Sequence, residues 1–373
     1  MLVLTAALRA RGHQVDLMCP EPPLGTARSL WQEASLRNLD PIQPIDGSRR
    51  VFRWGDGERV RRLSEWLETD ELGGPYDIVH CWHPRDHVIA ARALRLGNPF
   101  RERSRKTQLV RFLAQADRMR RWPWNRWLFG AGCDGLICVS EAATESIREM
   151  RGGRAVATVT GSIDFDELAS RQDESNVRRA LGVGRDVPLI GVVARLRPRR
   201  GFDLLLQALS RLILTHPRAC VVLIGRGRRA EQVIRQPARE LGLEGNLVFA
   251  GGRFDDQAEV LAAMDLCTLL VPGGDGTCQS LLRAAALGIP MVGTRRGAIP
   301  EIISNGQTGL LVEEDAEALA SAWRRLMDDP AGRREMGAAA RRDARFRFQP
   351  DRHAAWMERF YERTRERSLS ASS

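Results

Sequence analysis

The pattern of apolar and polar positions predicts a strand, a turn and a helix at the start of the stretch from Leu266 to Val312. Leu266 to Val271 is a short apolar run of the kind that forms a buried parallel strand, and turn residues from Pro272 to Gly276 interrupt it. A helix over about Thr277 to Leu287 follows, with a packed face and a free face. The predicted packed face carries Cys278, Leu281, Leu282, Ala285 and Ala286, and the predicted free face carries Gln279, Ser280 and Arg283.

The same pattern then ends the helix and returns to a strand. Gly288 and Pro290 are helix-stop residues, and Met291 to Thr294 is again apolar. In a βαβ unit of this kind, ligands lie beyond the carboxyl ends of the strands, and the first N–H groups of the helix favour an anion. Any α/β protein contains such units, so this pattern alone does not define a function.

Similar units are predicted along the rest of the chain. Met1 to Arg11 has helical periodicity, whereas Pro20 to about Gly73 shows no clear pattern. The polar stretch from Arg101 to Trp122 is predicted to be helical. Strands are predicted at Gln14 to Cys19, Tyr76 to His80, Gly135 to Val139, Pro188 to Ala194, Val221 to Ile224 and Leu247 to Ala250.

These elements predict two Rossmann-like α/β domains, residues 1–165 and 187–345. A charged linker is predicted at 166–186, and a final helix at 346–373. The chain begins on a helix, so the N-terminal sheet either lacks an inner strand or has its first strand upstream. The second alternative is favoured, because omitting an inner parallel strand would expose unpaired backbone groups.

Composition indicates a soluble globular chain with a basic surface. The 373 residues are 43% hydrophobic without a run of membrane-spanning length, and the net charge of +10 rests on arginine, since Lys106 is the only lysine. Such charge favours anionic partners, including a membrane surface. The arginines are spread over both domains without a recognised binding module, so nucleic acid is not a predicted partner.

Cysteine and histidine positions do not predict a metal site. The seven cysteines show neither metal-type nor disulfide spacing, which suits a reducing cytosol, and Arg9 lies too early for the apolar core of a signal peptide. His80, His83 and His87 have helical spacing that would suit zinc. However, His80 is predicted to end a strand and Pro84 follows His83, so hydrogen bonding in a cleft is the favoured role.

The segment from Arg118 to Phe129 mixes arginines with three tryptophans. Arginines meet anionic head groups and tryptophans settle at the bilayer boundary, so the segment has the character of an interfacial membrane contact. It equally suits a segment packed into the core. Both interpretations stay open at this point.

The stretch from Leu266 to Val312 resembles the donor motif of the retaining GT-B glycosyltransferases of group 1 (GT4-like), two Glu separated by seven residues. Asp275 and Arg283 occupy the two Glu positions, and the run from Gly297 to Val312 matches the family's continuation. In the family the first carboxylate faces the donor sugar and the second commonly holds the ribose hydroxyls. Arg283 cannot accept hydrogen bonds, so the resemblance implies an altered ribose contact.

Other segments resemble the same family. Asp77 to His80 is similar to a strand of its acceptor domain, and Thr160 to Asp164 is similar to the end of that domain. The run from Arg195 to Phe202 resembles a strand–Arg–loop–Lys–Gly motif, which implies that Arg195 and Arg200 contact the donor diphosphate. A histidine that the family places near the reaction centre is missing after Asn98-Pro99.

Gly225 and Gly227 fit a G-x-G-x-x-A dinucleotide fingerprint, but the expected acid does not end the next strand, since Glu244 precedes it. In the glycosyltransferase interpretation, these glycines allow close backbone approach near the nucleotide. The resemblance implies donor binding by Gly225, Gly227, Gly251, Phe254, Gly276, Thr277, Cys278, Gln279, Ser280 and Arg283.

The resemblance implies a GT-B fold, two Rossmann-like domains facing across a cleft, the N-terminal one incomplete. It implies transfer from a UDP- or GDP-linked sugar to a glycan or lipid-linked acceptor, with retention and without a metal or other cofactor. Arg195, Arg200 and the helix start would meet the charge of the leaving diphosphate, and Asp275 would accept hydrogen bonds from the sugar. His80 and His83 would lie on the acceptor side.

Two further expectations concern setting and activity. The expected location is the cytoplasm, with peripheral attachment to the inner face of the membrane as an extension. The alternative function is a non-catalytic relative that binds a glycan, a nucleotide or a protein. Arg283, the missing histidine and the missing first strand favour that alternative.

Overall fold

The computed structural model describes residues 1–19, 29–42, 56–67, 76–95, 107–114, 122–169, 174–252, 256–271 and 278–370. They form two compact α/β units: Met1–Val159 with Pro350–Ser373, and Thr160–Gln349. Each unit is built on a parallel sheet, which confirms the predicted fold class. None of the helices in these ranges has the length and apolar character needed to span a bilayer.

The first unit has a four-stranded parallel sheet in the order β1-β2-β3-β4. The connecting helices α4, α5 and α6 contribute to one apolar core on one face of this sheet. The elements of this unit are α1 (Leu2–Ala10), α2 (Leu30–Leu36), α3 (Asp56–Trp66), β1 (Ile78–Cys81), α4 (Pro84–Arg95), β2 (Gln108–Leu113), α5 (Pro123–Phe129), β3 (Gly135–Cys138), α6 (Glu141–Ser146), β4 (Ala155–Thr158) and the C-terminal helix α16 (Pro350–Ser370).

Helix α16 packs on the other face of the first sheet. Leu136 and Cys138 belong to the core beside α4 to α6, and side chains alternate along a strand, so Gly135 faces the opposite way. A Cβ atom on Gly135 would lie only 3.0 Å from Phe360 and from Thr364 of α16. Glycine therefore permits the close approach of α16 to β3.

The predicted helix from Arg101 to Trp122 is wrong where the structure describes it, because Gln108–Leu113 is strand β2. All six residues of β2 are buried. The apolar pattern is broken by Arg111, which is only 4% exposed and donates from Nη1 to the Cys81 carbonyl at 3.2 Å. Because Arg111 is buried and hydrogen-bonded within an inner strand, the sequence of that strand has the pattern of a polar segment.

Two other predictions for the first unit are also corrected. Gln14 to Cys19 does not form a strand; it contributes one isolated bridge, Met18 to Ile42. The stretch after Pro20 is not entirely irregular, since α2 and α3 lie within it. A capping box at the start of α2, with reciprocal bonds between Ser29 and Gln32, is a sequence signal that identifies this helix.

The second unit has a six-stranded parallel sheet in the order β10-β9-β8-β5-β6-β7. Because β5 pairs with both β6 and β8, the strand order reverses between β5 and β8. The elements of this unit are α7 (Phe165–Ala169), α8 (Glu174–Ala180), β5 (Leu189–Val193), α9 (Phe202–Leu212), β6 (Cys220–Ile224), a π-helical turn (Glu231–Arg235), α10 (Gln236–Glu240), a 3₁₀ turn (Glu244–Asn246), β7 (Leu247–Gly251), α11 (Gln257–Ala262), β8 (Leu266–Leu269), α12 (Gln279–Leu287), β9 (Met291–Thr294), α13 (Ile299–Ile302), β10 (Gly309–Val312), α14 (Ala316–Asp328) and α15 (Pro330–Arg347).

The predicted βαβ unit is present as β8, α12 and β9, with β8 and β9 paired in parallel. One detail of the helix was wrong. Ser280, expected on the free face, is 9% exposed, and Ala284 is fully buried. The reason is that α12 packs against α7, α11 and α15 as well as against the sheet, so it is covered on more than one side.

The residues expected to form a linker at 166–186 instead include helices α7 and α8. Helix α7 packs on α12, and α8 packs on α11, within the second unit. Arg178 of α8 donates from Nη2 to Asp265 Oδ2 at 3.0 Å. The charges that made this stretch resemble a solvated linker serve partly as tertiary contacts.

Candidate functional site

The described part of the predicted donor set lies at one edge of the second sheet. Because parallel strands end at the same edge, the segments that follow them are neighbours there. This edge carries Arg195 and Arg200 after β5, Gly225 and Gly227 after β6, Gly251 at the end of β7, and Cys278, Gln279 and Ser280 where α12 begins after β8.

The arginine loop, residues 195–200, joins β5 to α9. The Arg195 side chain is exposed and makes no hydrogen bond or ion pair with the described residues, whereas Arg200 is half-buried. Gly201 begins α9 at a φ of 77°. A Cβ atom there would lie 2.9 Å from Leu270 Cβ, so glycine lets the loop approach the end of β8 closely.

Gly225 and Gly227 are in close backbone contact with the arginine loop. A Cβ on Gly225 would lie 1.9 Å from the Ala194 carbonyl oxygen, and one on Gly227 would lie 1.8 Å from that of Leu196. The Leu196 N–H donates to the Arg226 carbonyl at 3.1 Å. These glycines hold the arginine loop beside the loop after β6. Their predicted approach to a nucleotide stays a prediction.

The start of α12 has features of an anion-binding helix terminus. Cys278 precedes the helix in a left-handed conformation, with φ of 48°, and its own side chain makes no capping hydrogen bond. The first N–H groups of a helix favour an anionic ligand. The side-chain nitrogen of Gln279, Nε2, would lie 3.7 Å from a Cβ atom added at Gly161. The segment that opens the second unit is therefore close to this helix terminus.

Arg283 lies in the second turn of α12 and has protein partners. Its Nη1 donates to Gln257 Oε1 of α11, and its Nη2 lies 4.0 Å from Glu167 Oε1 of α7. The sequence pattern placed Arg283 on a free face of α12. In the structure, its guanidinium instead lies between two neighbouring helices, α7 and α11.

A cavity of about 400 Å³ opens at the same edge. It spans the ends of β5 and β8, the point of strand-order reversal where open α/β sheets bind ligands. Its volume is that of a small-molecule pocket. Arg296 pairs with Glu314 at 2.5 Å across part of its wall. The lining residues are Arg199, Gly201, Leu204, Leu270, Val271, Arg296 and Glu314.

Sequence reasoning did not single out Arg296 and Glu314. They lie two residues after the ends of β9 and β10, so the available signal was their position close behind apolar runs. Phe254, Asp275, Gly276 and Thr277 lie outside the described residues, and their roles stay predictions.

The two histidines expected on the acceptor side have different environments. His80 Nδ1 lies 2.8 Å from the Tyr361 hydroxyl of α16, and its Nε2 is shielded from solvent without a hydrogen-bond partner. Burial lowers the pKa of His80 to about 3, assisted by the charge of Arg111. His83 is exposed just before α4. His80 is thus used inside the first unit, and an acceptor contact by either residue stays a prediction.

The third histidine of this group does not join the other two in a site. His87 is fully buried, and neither ring nitrogen has a hydrogen-bond partner. Among the described residues, no three His, Cys, Asp or Glu side chains are grouped so that they would hold a metal ion.

Two units, each built on a parallel α/β sheet, match the architecture of the GT-B class, and comparison with solved structures agrees. The Anabaena Alr3699/HepE structure in complex with UDP and glucose has a TM-score of 0.74 and 19% identity, covering 96% of this chain and 94% of that one. A glycosyltransferase from Rickettsia africae has a TM-score of 0.77 and 16% identity, covering 97% and 93%. These likenesses establish the fold.

The family follows from the sequence comparisons. The model for "Glycosyltransferase Family 4" matches residues 1–167, and that for "Glycosyl transferases group 1" matches residues 187–329. The chain belongs to the group 1 (GT4-like) glycosyltransferases, as its motifs predicted.

Two curated relatives indicate the range of similarity. A Corynebacterium glutamicum GDP-mannose-dependent monoacylated alpha-(1-6)-phosphatidylinositol monomannoside mannosyltransferase is 34% identical over 46% of this chain and 46% of its own length. A Mycobacterium leprae phosphatidyl-myo-inositol mannosyltransferase is 28% identical over 97% and 91%. For three curated relatives at 30% identity or more, the match spans about half of their length.

Proposed function

We propose that this chain transfers a sugar, with retention, from a UDP- or GDP-linked donor to a lipid-linked or glycan acceptor. The observation that carries the proposal is the arginine loop. The Arg195 guanidinium lies exposed at the strand-order reversal without a partner among the described residues. An exposed cation at the sheet edge that also carries a ligand-sized cavity suits an anionic ligand, and a diphosphate is such a ligand.

The chemistry of the transfer requires positive charge at this edge. When the bond between the sugar and the diphosphate breaks, negative charge grows on the leaving oxygen. Arg195, Arg200 and the N-terminal end of α12 supply fixed positive potential that is in place before the reaction. The proposed mechanism therefore needs no metal ion.

Asp275 has a different role in this proposal. A carboxylate near the start of α12 would repel the diphosphate if it faced the phosphates, so we assign it to accept hydrogen bonds from the donor sugar. Asp275→Asn should reduce sugar transfer while largely retaining affinity for the free nucleoside diphosphate. An equal loss of both would contradict this division of roles.

The substrates of similar proteins suggest which donors and acceptors to test first. Relatives of this chain are described as GDP-mannose-dependent and as acting on phosphatidylinositol mannosides, and one structural neighbour binds UDP and glucose. We therefore propose GDP-mannose and UDP-glucose as the first donors to test, with phosphatidylinositol lipids as the first acceptors.

The direct test is calorimetric titration of the purified chain with UDP, GDP and ADP. Arg195→Ala should weaken binding of the preferred nucleotide by about 10- to 100-fold, the value of a charge-assisted hydrogen bond. Arg197→Ala, an exposed arginine in the same loop, is the matched control and should leave binding unchanged. Absence of binding by every nucleotide would contradict the proposed function, and equal effects of both variants would contradict the role of Arg195.

The non-catalytic alternative remains a second candidate because of Arg283. Its pairing with Gln257 leaves a cation where the family has a carboxylate. A chain that binds a nucleotide yet forms no product from its sugar conjugate, with phosphatidylinositol lipids supplied, would favour this alternative. Product formation by the unaltered chain would exclude it.

A further inference from the structure

Two tryptophan side chains project into solvent at the start of α5 in the first unit. Trp122 is 59% exposed and Trp124 is 38% exposed, and the exposed Pro123 lies between them. Indole side chains bury large apolar areas when a partner is available. Two indoles within three residues therefore present a partly exposed apolar surface to solvent.

The rest of α5 holds this surface in a fixed position. Trp127 stacks on Trp124 with ring centroids 4.8 Å apart, and Trp127 also packs against the core of the first unit. Leu128 and Phe129 are buried in that core. The exposed indoles are therefore carried by a helix that is anchored at its other end.

The one charged residue of α5 is an arginine. Arg126 is exposed and makes no hydrogen bond or ion pair through its side chain with the described residues, and α5 contains no acidic residue. Arg154 lies at the far end of the helix, where its Nε donates to the Gly130 carbonyl at 2.9 Å. The surface thus combines indoles with an exposed guanidinium that has no acidic partner among the described residues.

We propose that Trp122, Trp124 and Arg126, here called the tryptophan patch, dock the protein on an anionic bilayer. Indoles settle at the boundary between head groups and hydrocarbon, and arginines near the surface are attracted to anionic head groups. The proposal rests on the proposed function in one respect, that a lipid-linked acceptor would place the enzyme at a membrane. The docking itself is independent of sugar transfer.

The test is co-sedimentation of the purified chain with vesicles of phosphatidylcholine alone and of phosphatidylcholine with phosphatidylglycerol. The chain should bind the anionic vesicles, and added salt should weaken binding because it screens Arg126. The double variant Trp122→Ser with Trp124→Ser should lose at least about tenfold in partition coefficient, since interfacial binding scales with buried apolar area. Phe346→Ser, at an aromatic side chain 64% exposed in the second unit, is the matched control and should bind as the unaltered chain does.

Several outcomes would overturn the proposal. They are no vesicle binding by the unaltered chain, equal binding by the double variant, or a dimer that becomes monomeric in the double variant, which would identify a protein interface instead. If the double variant unfolds, Trp122→Ser alone decides the question, because that side chain is the more exposed of the two.

Nucleotide titration separates this proposal from the proposed function. A double variant that binds its nucleotide but not vesicles supports the tryptophan patch as a separate surface. Vesicle binding by a chain that binds no nucleotide would leave the docking proposal standing while the proposed function fails. Nucleotide binding without vesicle binding by the unaltered chain would overturn the docking proposal and leave the proposed function standing.

Discussion

Acid should destabilise the first unit through three histidines whose pKa values are lowered in the folded state. Burial lowers the pKa of His80 and His87 to about 3 and that of His353 to about 4, against an ordinary value of 6.5. Below pH 6.5 the unfolded chain therefore binds protons that the folded unit does not. Stability is full above pH 6.5 and falls as the pH drops from there toward the folded pKa values.

The size of the effect follows from the separation of the pKa values. Between pH 7 and pH 5.5, each histidine should cost about 1.3 kcal/mol of unfolding free energy, and the three together about 4 kcal/mol. This is a large share of the roughly 5 to 15 kcal/mol that stabilises a typical domain. The lowered pKa of Glu358, about 2, acts in the same direction only at lower pH.

Urea unfolding at the two pH values, followed by far-ultraviolet circular dichroism, measures this effect. All three histidines lie in the first unit, so its transition should shift more than that of the second unit. His87→Leu should remove about one third of the pH dependence, because neither ring nitrogen of His87 has a hydrogen-bond partner to lose. His83→Leu, at an exposed position of the same unit, is the control.

The reasoning would be refuted if His87→Leu kept the full pH dependence of the unaltered chain. It would also fail if His83→Leu reduced the pH dependence as much as His87→Leu does. Either result would mean that the acid response arises from groups other than the imidazoles of His80, His87 and His353.

Three further predictions concern the second unit. Gly227→Ala should lower the free energy of unfolding by about 2 kcal/mol or more and weaken nucleotide binding, because the new Cβ would lie 1.8 Å from a carbonyl oxygen of the arginine loop. Thermal unfolding and nucleotide titration measure the two effects. Asp265→Asn should cost roughly 2 to 3 kcal/mol in urea unfolding, because Asp265 pairs with Arg178 at 3.0 Å and with Arg333 at 2.9 Å. Arg283→Glu should lower the free energy of unfolding by about 1 kcal/mol, because it places a second carboxylate beside Glu167. Adding Glu167→Arg should restore most of that stability; additive effects in this double-mutant cycle would show that the two side chains are not coupled.

Local sequence signals predicted the elements that are bounded by glycine and proline. The apolar run before Pro272 and the pair Gly288 and Pro290 gave β8, α12 and β9, because turn chemistry is a local property. Strand β2 was missed because Arg111 interrupts its apolar run. That arginine is tolerated in the interior through a bond to the carbonyl of Cys81, a partner in another strand. Local periodicity does not reveal such a partner.

The candidate site shows the same division. The spacing of Arg195, Arg200 and Gly201 after an apolar strand identified the arginine loop, since those residues are adjacent in the chain. The cavity wall formed by Arg296 and Glu314 depends on the strand order β10-β9-β8-β5, which places the ends of separate strands side by side. Strand order is a tertiary property, so this part of the site required the structure.

Arg283 marks the point at which sequence and structure give complementary information. The sequence shows that a cation replaces an expected carboxylate, but it does not show what that cation contacts. The structure supplies Gln257 from α11 and Glu167 from α7, two helices that pack on α12. A guanidinium bound to both can fix α12 relative to its neighbours, and so can hold the helix terminus at which the donor phosphates are proposed to bind. The charge reversal is therefore compatible with a working donor site, provided that another group contacts the ribose.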